Sequence, residues 1–112
     1  MNVITWNDFE NVDLRVGTII EVDDFPEARK PAYKLTVDFG PKIGIKKTSA
    51  QMTKLYTKQE LLNTQIVAVT NFPPKQIGKF MSEILILWLV GGGDWVVLLS
   101  SDKAVNNWLK VG

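Results

Sequence analysis

Val12-Asp13-Leu14-Arg15-Val16-Gly17-Thr18-Ile19-Ile20-Glu21-Val22 is the stretch on which the fold turns. Val12, Leu14, Val16, Thr18, Ile20 and Val22 fall on one side of a period-two pattern; Asp13, Arg15, Gly17, Ile19 and Glu21 fall on the other. Sustained alternation of this kind marks a half-buried β-strand, with the first set predicted inward. The run is long for a strand. Gly17 in its interior signals a bulge or a sharp bend, which a strongly coiled sheet needs.

Reading outward, Thr5-Trp6-Asn7-Asp8 has the form of a helix N-cap with an acid three residues on, and predicts a short helix over 6–11. Residues 23–31 form a charged loop with two prolines. A second strand follows, with Tyr33, Leu35, Val37 and Phe39 inward, and Gly40-Pro41 breaks it. A third strand is expected over 42–47, with Ile43 and Ile45 inward and Lys42 and Lys46 outward. Over 49–63 the pattern loosens toward helix. Ala50, Met52, Leu55 and Tyr56 would form one face, Thr57-Lys58-Gln59-Glu60 is a second capping box, and Leu61 and Leu62 would pack inward. A fourth strand covers 65–71, and residues 75–81 read as a loop. Two apolar strands, 84–90 and 95–99, flank a Gly91-Gly92-Gly93-Asp94 turn, and residues 100–112 read as turns and a short tail. Three strands, a short helix and further strands predict one all-β domain over 1–112. The expected fold is a five-stranded OB-fold Greek-key barrel with a short helix between strands 3 and 4 and a C-terminal hairpin extension.

Composition narrows the chemistry. The chain has 112 residues, 46% hydrophobic and 22% charged, which suits one globular domain. It has no cysteine and no histidine. That removes thiolate and imidazole nucleophiles, bases and metal ligands and leaves catalysis only to Lys, Tyr or a carboxylate, none of which has a persuasive spacing here; a non-catalytic function without cofactor or metal is expected. Asp23, Asp24 and Glu27 lack the spacing of a calcium loop. Residues 1–8 do not resemble a signal peptide and the longest apolar run, 84–90, is too short to span a bilayer; a cytoplasmic protein without membrane insertion is expected.

The net charge of +1 hides an asymmetry. Residues 1–40 carry eight acids against four bases, and residues 41–79 carry seven lysines against Glu60 alone. A positive middle is either a solvated face or a patch for an anionic partner. Two segments concentrate it. The first, 71–83, joins two strands and offers Asn71, Phe72, two prolines, Lys75, Lys79, Phe80, Met81 and Ser82. Such a loop can meet nucleic acid through phosphates and base stacking, or hold an extended peptide against its aromatics. The second is Lys46-Lys47-Thr48-Ser49, where Ser49 is expected to cap a helix and leave an anion seat beside two lysines. The apolar hairpin of 84–99, with Trp88 and Trp95, is more than so small a chain can cover on both faces, which points to a symmetric homodimer.

Asp13-Leu14-Arg15-Val16-Gly17, Phe25-Pro26-Glu27-Ala28-Arg29-Lys30, Tyr33-Lys34-Leu35 and Val37-Asp38-Phe39-Gly40 resemble the opening of the tRNA-binding domain family. That family includes an appended domain of methionyl-tRNA synthetases, free-standing tRNA-binding proteins and CsaA-type export chaperones. Residues 44–51, Asn71-Phe72-Pro73-Pro74 and Ser82-Glu83-Ile84-Leu85 resemble the CsaA-type branch in particular. The resemblance implies a homodimer that binds unfolded preproteins or peptides and meets the secretion machinery, or alternatively a reader of tRNA structure. Carried onto this chain, it assigns nucleic-acid binding to Lys46, Lys47, Ser49, Asn71, Lys75 and Ser82, with Lys79 adding charge. Peptide binding falls to Met52, Phe72, Phe80 and Met81. Ile84-Leu85 departs from the Gly-Met of RNA-binding branches, and Trp88 and Trp108 replace small residues.

Overall fold

The computed structural model describes residues 1–112 except Asp94. Its elements run α1 (Trp6–Glu10), β1 (Leu14–Asp24), β2 (Tyr33–Asp38), β3 (Ile45–Ala50), α2 (Lys58–Leu61), β4 (Gln65–Val69), β5 (Lys75–Ile77), β6 (Phe80–Ser82), β7 (Leu85–Ile86), β8 (Trp88–Leu89) and β9 (Val97–Leu98). Five of them form an antiparallel sheet in the order β3-β2-β1-β4-β7. The sheet curls until β3 meets the run leading into β7. Glu83 N–H donates to Lys47 C=O at 2.8 Å, and the Glu83 carboxylate accepts from Lys47 N–H at 3.0 Å. Next to them, the Thr48 hydroxyl bonds Ser82 Oγ at 2.9 Å and donates to Ile84 C=O at 3.0 Å. The result is the nearly closed five-stranded barrel of an OB-fold, with α2 between the third and fourth strands, as the sequence predicts.

β1 is a single strand with a reset in the middle. Ile19 pairs with Val37, but Glu21 pairs with Thr36, so Ile20 is an extra residue. The bulge shifts the alternation. Ile19 is fully buried and Ile20 is 40% exposed, the reverse of the predicted faces, and Val22 returns inward beyond the bulge. Gly17 is not itself the bulge: it pairs in register with Ile66 and packs flat against Val37 and Phe39. Ile19 keeps its main-chain bonds at the reset by pairing with the end of the α2 region, donating to Thr64 C=O and accepting from Asn63 N–H.

β2 is as predicted, with Tyr33, Leu35, Val37 and then Phe39 buried. β3 differs. It begins at Ile45, and its inward residues are Lys46, Thr48 and Ala50, while Ile45 is 58% exposed. Small and polar side chains suffice inward because the large apolar groups of β1, β2 and β4 already fill the barrel. Ser49 therefore lies within a strand opposite Lys34, and the predicted helix starting there is absent. Within 49–63 the helix is confined to the Thr57 capping box: Thr57 caps α2, Leu61 packs inward and Leu62 is left exposed. Its reciprocal Thr57 bonds hold the Glu60 carboxyl below its usual value.

Residues 75–81, read as a loop, contain a hairpin. β5 and β6 pair with Ile77 opposite Phe80 across a Gly78-Lys79 turn, and Gly78 has φ 62°. A two-residue hairpin turn with left-handed backbone at its first position favours glycine there. The C-terminal hairpin forms too, with Trp88 opposite Leu98 and Leu89 opposite Val97; of its predicted turn, Asp94 lies outside the described residues. The tail does more than end the chain. Trp108 N–H donates to Val16 C=O, Leu109 C=O accepts from Val16 N–H, and Val111 N–H donates to Leu14 C=O. These bonds run along the edge of β1 that β2 leaves free before the bulge.

Candidate functional site

The outer face of β2–β3 carries the row Lys34/Ser49, Thr36/Lys47 and Asp38/Ile45. Lys46 and Lys47, adjacent in a strand, point to opposite faces. Lys47 belongs to this outer face and Lys46 to the inner one, opposite Val37. The predicted pair is thus split.

Lys34 organises the near end of the face. Its ammonium lies 4.8 Å from the Phe25 ring centre, 5.6 Å from the Phe80 ring centre and 3.6 Å from a Glu27 carboxylate oxygen. The two rings tilt together with centroids 5.4 Å apart. Phe25 comes from the β1–β2 connection and Phe80 from the β5–β6 hairpin, so one lysine ties together the two loops that flank an OB-fold's binding face. The predicted peptide contact Phe80 is in part this structural plug.

Between these loops lies a cleft of about 1300 Å³. One wall is the 28–32 segment with Arg29 and Lys30; the opposite wall is β5 with Lys75, Gln76 and Ile77. Ser49, Ala50 and Lys54 form one end, and Trp88 and Val96 bring in the C-terminal hairpin. The cleft combines aromatic and aliphatic surface with a cationic rim. No carboxylate is among its described lining residues. Trp88 packs on the barrel core and lines the cleft at once.

The structure sorts the predicted residues. Ser49 and Lys75 line the cleft, Lys47 lies along the same outer face, and Lys79 stands at the exposed hairpin tip. Phe72 and Ser82 line a second, smaller cavity of about 290 Å³ with Pro73, Ile84 and Leu85. Phe72 and Met81 are exposed, as a peptide contact requires. Met52 is 1% exposed and belongs to the core, so it cannot touch a client. Asn71 is engaged in the fold: its carbonyl accepts from Asp13 N–H at 3.0 Å and its amide donates to Asn11 C=O at 2.8 Å. Ser82 closes the barrel seam through Thr48. For both, the polar group expected to face a ligand has an internal partner. Beside Asn71, burial alone would raise the Asp13 carboxyl. The Thr70 hydroxyl, the Arg15 guanidinium at 2.9 Å and Lys110 outweigh it and hold the group below its usual value.

Sequence reasoning left Arg29, Lys30, Gln76 and Val96 out of the site. The available signal was positional: in an OB barrel the connection between the first two strands flanks the ligand.

A family model described as "Putative tRNA binding domain" matches residues 14–107. The chain belongs to the tRNA-binding domain family. It is 37% identical over 111 residues to a methionine–tRNA ligase of Pyrococcus furiosus, covering 99% of this chain and 15% of the ligase. The Pyrococcus abyssi ligase is 39% identical over 96% of this chain and 14% of its own length. The chain thus spans about one-seventh of these curated relatives, as an appended domain of a ligase would. Two solved chaperone structures match from end to end. The CsaA chaperone of Picrophilus torridus is 53% identical with a TM-score of 0.91, covering 98% of this chain and 100% of the other. Chaperone CsaA of Bacillus anthracis is 43% identical with a TM-score of 0.94, covering 99% and 100%. Among the described residues no helix is long and apolar enough to cross a membrane.

Proposed function

We propose that this chain is a non-catalytic, CsaA-like cytoplasmic chaperone that holds unfolded segments of preproteins in the cleft on their way to export. The observation that carries this reading is the cleft. It is too large for one small metabolite, it presents Phe25, Ile77, Trp88 and Val96 as apolar surface, and Arg29, Lys30 and Lys75 surround them. Its full-length likeness to chaperones supports the same reading. A homodimer fits the apolar surface left uncovered, which includes Val3, Ile4, Trp6, Leu89, Val90 and Trp95. Two clefts per dimer would raise avidity for a client long enough to span both.

The convergence of Arg29, Lys30 and Lys75 on one cleft, with Lys47 on the adjoining face, favours tRNA as the second reading. If about four phosphates are neutralised, a fourfold rise in salt weakens binding roughly a hundredfold. One experiment separates the two. Suppression of aggregation of an unfolded preprotein and filter binding of bulk tRNA are measured for the wild type and for Arg29→Ala/Lys30→Ala/Lys75→Ala. The chaperone reading expects client protection that survives most of the charge removal. Protection absent from the wild type, beside salt-sensitive tRNA binding that the triple variant loses, would replace it with the second reading. Mass in solution tests the dimer.

A further inference from the structure

Among the described residues β5 has one strand neighbour. It pairs with β6 through Lys75–Ser82, Gln76–Met81 and Ile77–Phe80. Only Gly78 and Lys79 separate Ile77 from Phe80, so that pair exchanges both main-chain hydrogen bonds. Bonded and non-bonded pairs alternate, so Gln76 and Met81 are a non-bonded pair and the N–H and C=O of Gln76 point away from β6. Neither group has a main-chain partner among the described residues. The Gln76 side chain turns back on its own hairpin, donating to Gly78 C=O at 2.9 Å. Gln76 lines the cleft together with Lys75, Ile77, Arg29 and Lys30.

We propose that an extended polypeptide enters the cleft as a third strand on β5, hydrogen-bonded to the Gln76 main chain. This rests on the chaperone reading and specifies how the client is held. An unpaired strand edge recognises main chain, which every polypeptide has, and so tolerates many sequences. Alternate side chains of the added strand fall on the face that carries Lys75 and Ile77, where cationic and apolar surface meet, and the others on the face of Gln76. Arg29, Lys30 and Lys75 beside Ile77 and Trp88 select segments that carry both acidic and apolar residues.

Gln76→Pro deletes the outward N–H while leaving the bonded pairs on either side untouched, and proline is tolerated at an edge position of this kind. Gln76→Ala removes the side chain and keeps the main chain. Affinity for fluorescein-labelled, reduced and carboxymethylated α-lactalbumin is measured by anisotropy, with thermal melting as the fold control. The expected result is an affinity for Gln76→Pro at least about tenfold lower than that for Gln76→Ala. Unchanged affinity in Gln76→Pro, or an equal loss in Gln76→Ala, overturns the proposal. If Gln76→Pro melts early, the client side decides. A labelled nonapeptide alternating glutamate and valine is N-methylated on every second amide, in each of the two registers. Loss of binding in one register only supports strand addition; equal binding of both methylated forms and the parent overturns it. A wild type that holds no unfolded client removes the chaperone reading and this inference with it. A wild type that holds clients regardless of Gln76 removes the inference alone.

Discussion

Replacing Gly17 with alanine adds one methyl group at the most crowded point of the barrel. A Cβ there would lie 2.6 Å from Val37 Cγ1 and 2.7 and 2.8 Å from two carbons of the Phe39 ring, where ordinary contact begins at 3.4 Å. The shortfall is about 0.8 Å, and both neighbours are fully buried side chains with packed surroundings. Overpacking of this kind costs about 1–3 kcal/mol, and the upper part of that range applies because strand β1 cannot retreat without breaking its pairing with Ile66. Alanine recovers about 0.5–1 kcal/mol of backbone entropy relative to glycine. The expected net loss is about 2 kcal/mol, which for a domain of this size lowers Tm by roughly 8 °C. Calorimetry and urea unfolding check it, the latter with an unchanged m-value. Val37→Ala removes the nearest obstruction, so Gly17→Ala should cost at least about 1 kcal/mol less in that background. A Gly17→Ala protein as stable as the wild type, or a double mutant that is strictly additive, would refute the claim that close packing, rather than backbone freedom, requires glycine here.

Asp13 has a carboxyl held below 3.8 in the folded protein. It therefore contributes stability that is present above that value and lost as pH falls through the lower folded-state value. The urea midpoint should drop below about pH 4, and Asp13→Asn should show a shallower drop there; identical acid profiles would contradict this. Asn71→Ala loses its bonds to Asp13 and Asn11 and should cost about 1–2 kcal/mol. Its affinity for client and for tRNA should stay at the wild-type value where the variant is fully folded, and a loss there would return Asn71 to the binding face. Lys34→Met takes the ammonium from Phe25 and Phe80. Amide exchange at Ile77 and Phe80 should accelerate about tenfold as the hairpin loosens, with the exchange of β4 unchanged.

The strands that the sequence announces are those whose alternation is written in large apolar residues. Leu35, Val37 and Phe39 give β2 correctly because nothing interrupts them. β1 is equally legible in extent, but its bulge at Ile20 inverts the faces, and a bulge depends on how neighbouring strands pair rather than on local composition. β3 is misplaced because Thr48 and Ala50 line the inside, where isoleucine would be expected. The β5–β6 hairpin hides because three residues are too few to show a period. The resemblance to the tRNA-binding domain family and its barrel was readable from motifs in order, and the family and fold both stand. The site was only half readable. Lys75 and Ser49 reach the cleft, but a sequence does not disclose that Asn71 and Ser82 spend their hydrogen bonds internally or that Met52 lies under the barrel wall. Arg29 and Lys30 join the cleft through a loop whose course only the folded chain defines.

The pairing of Trp108, Leu109 and Val111 with Leu14 and Val16 joins the latest-made part of the described chain to one of its earliest strands. During synthesis, β1 must wait with that margin unsatisfied until residues 108–111 have left the ribosome. Over that interval the newborn chain carries an open seam of the kind that invites wrong partners. A protein proposed to shelter unfinished polypeptides would thus pass through a stage at which it needs shelter of its own.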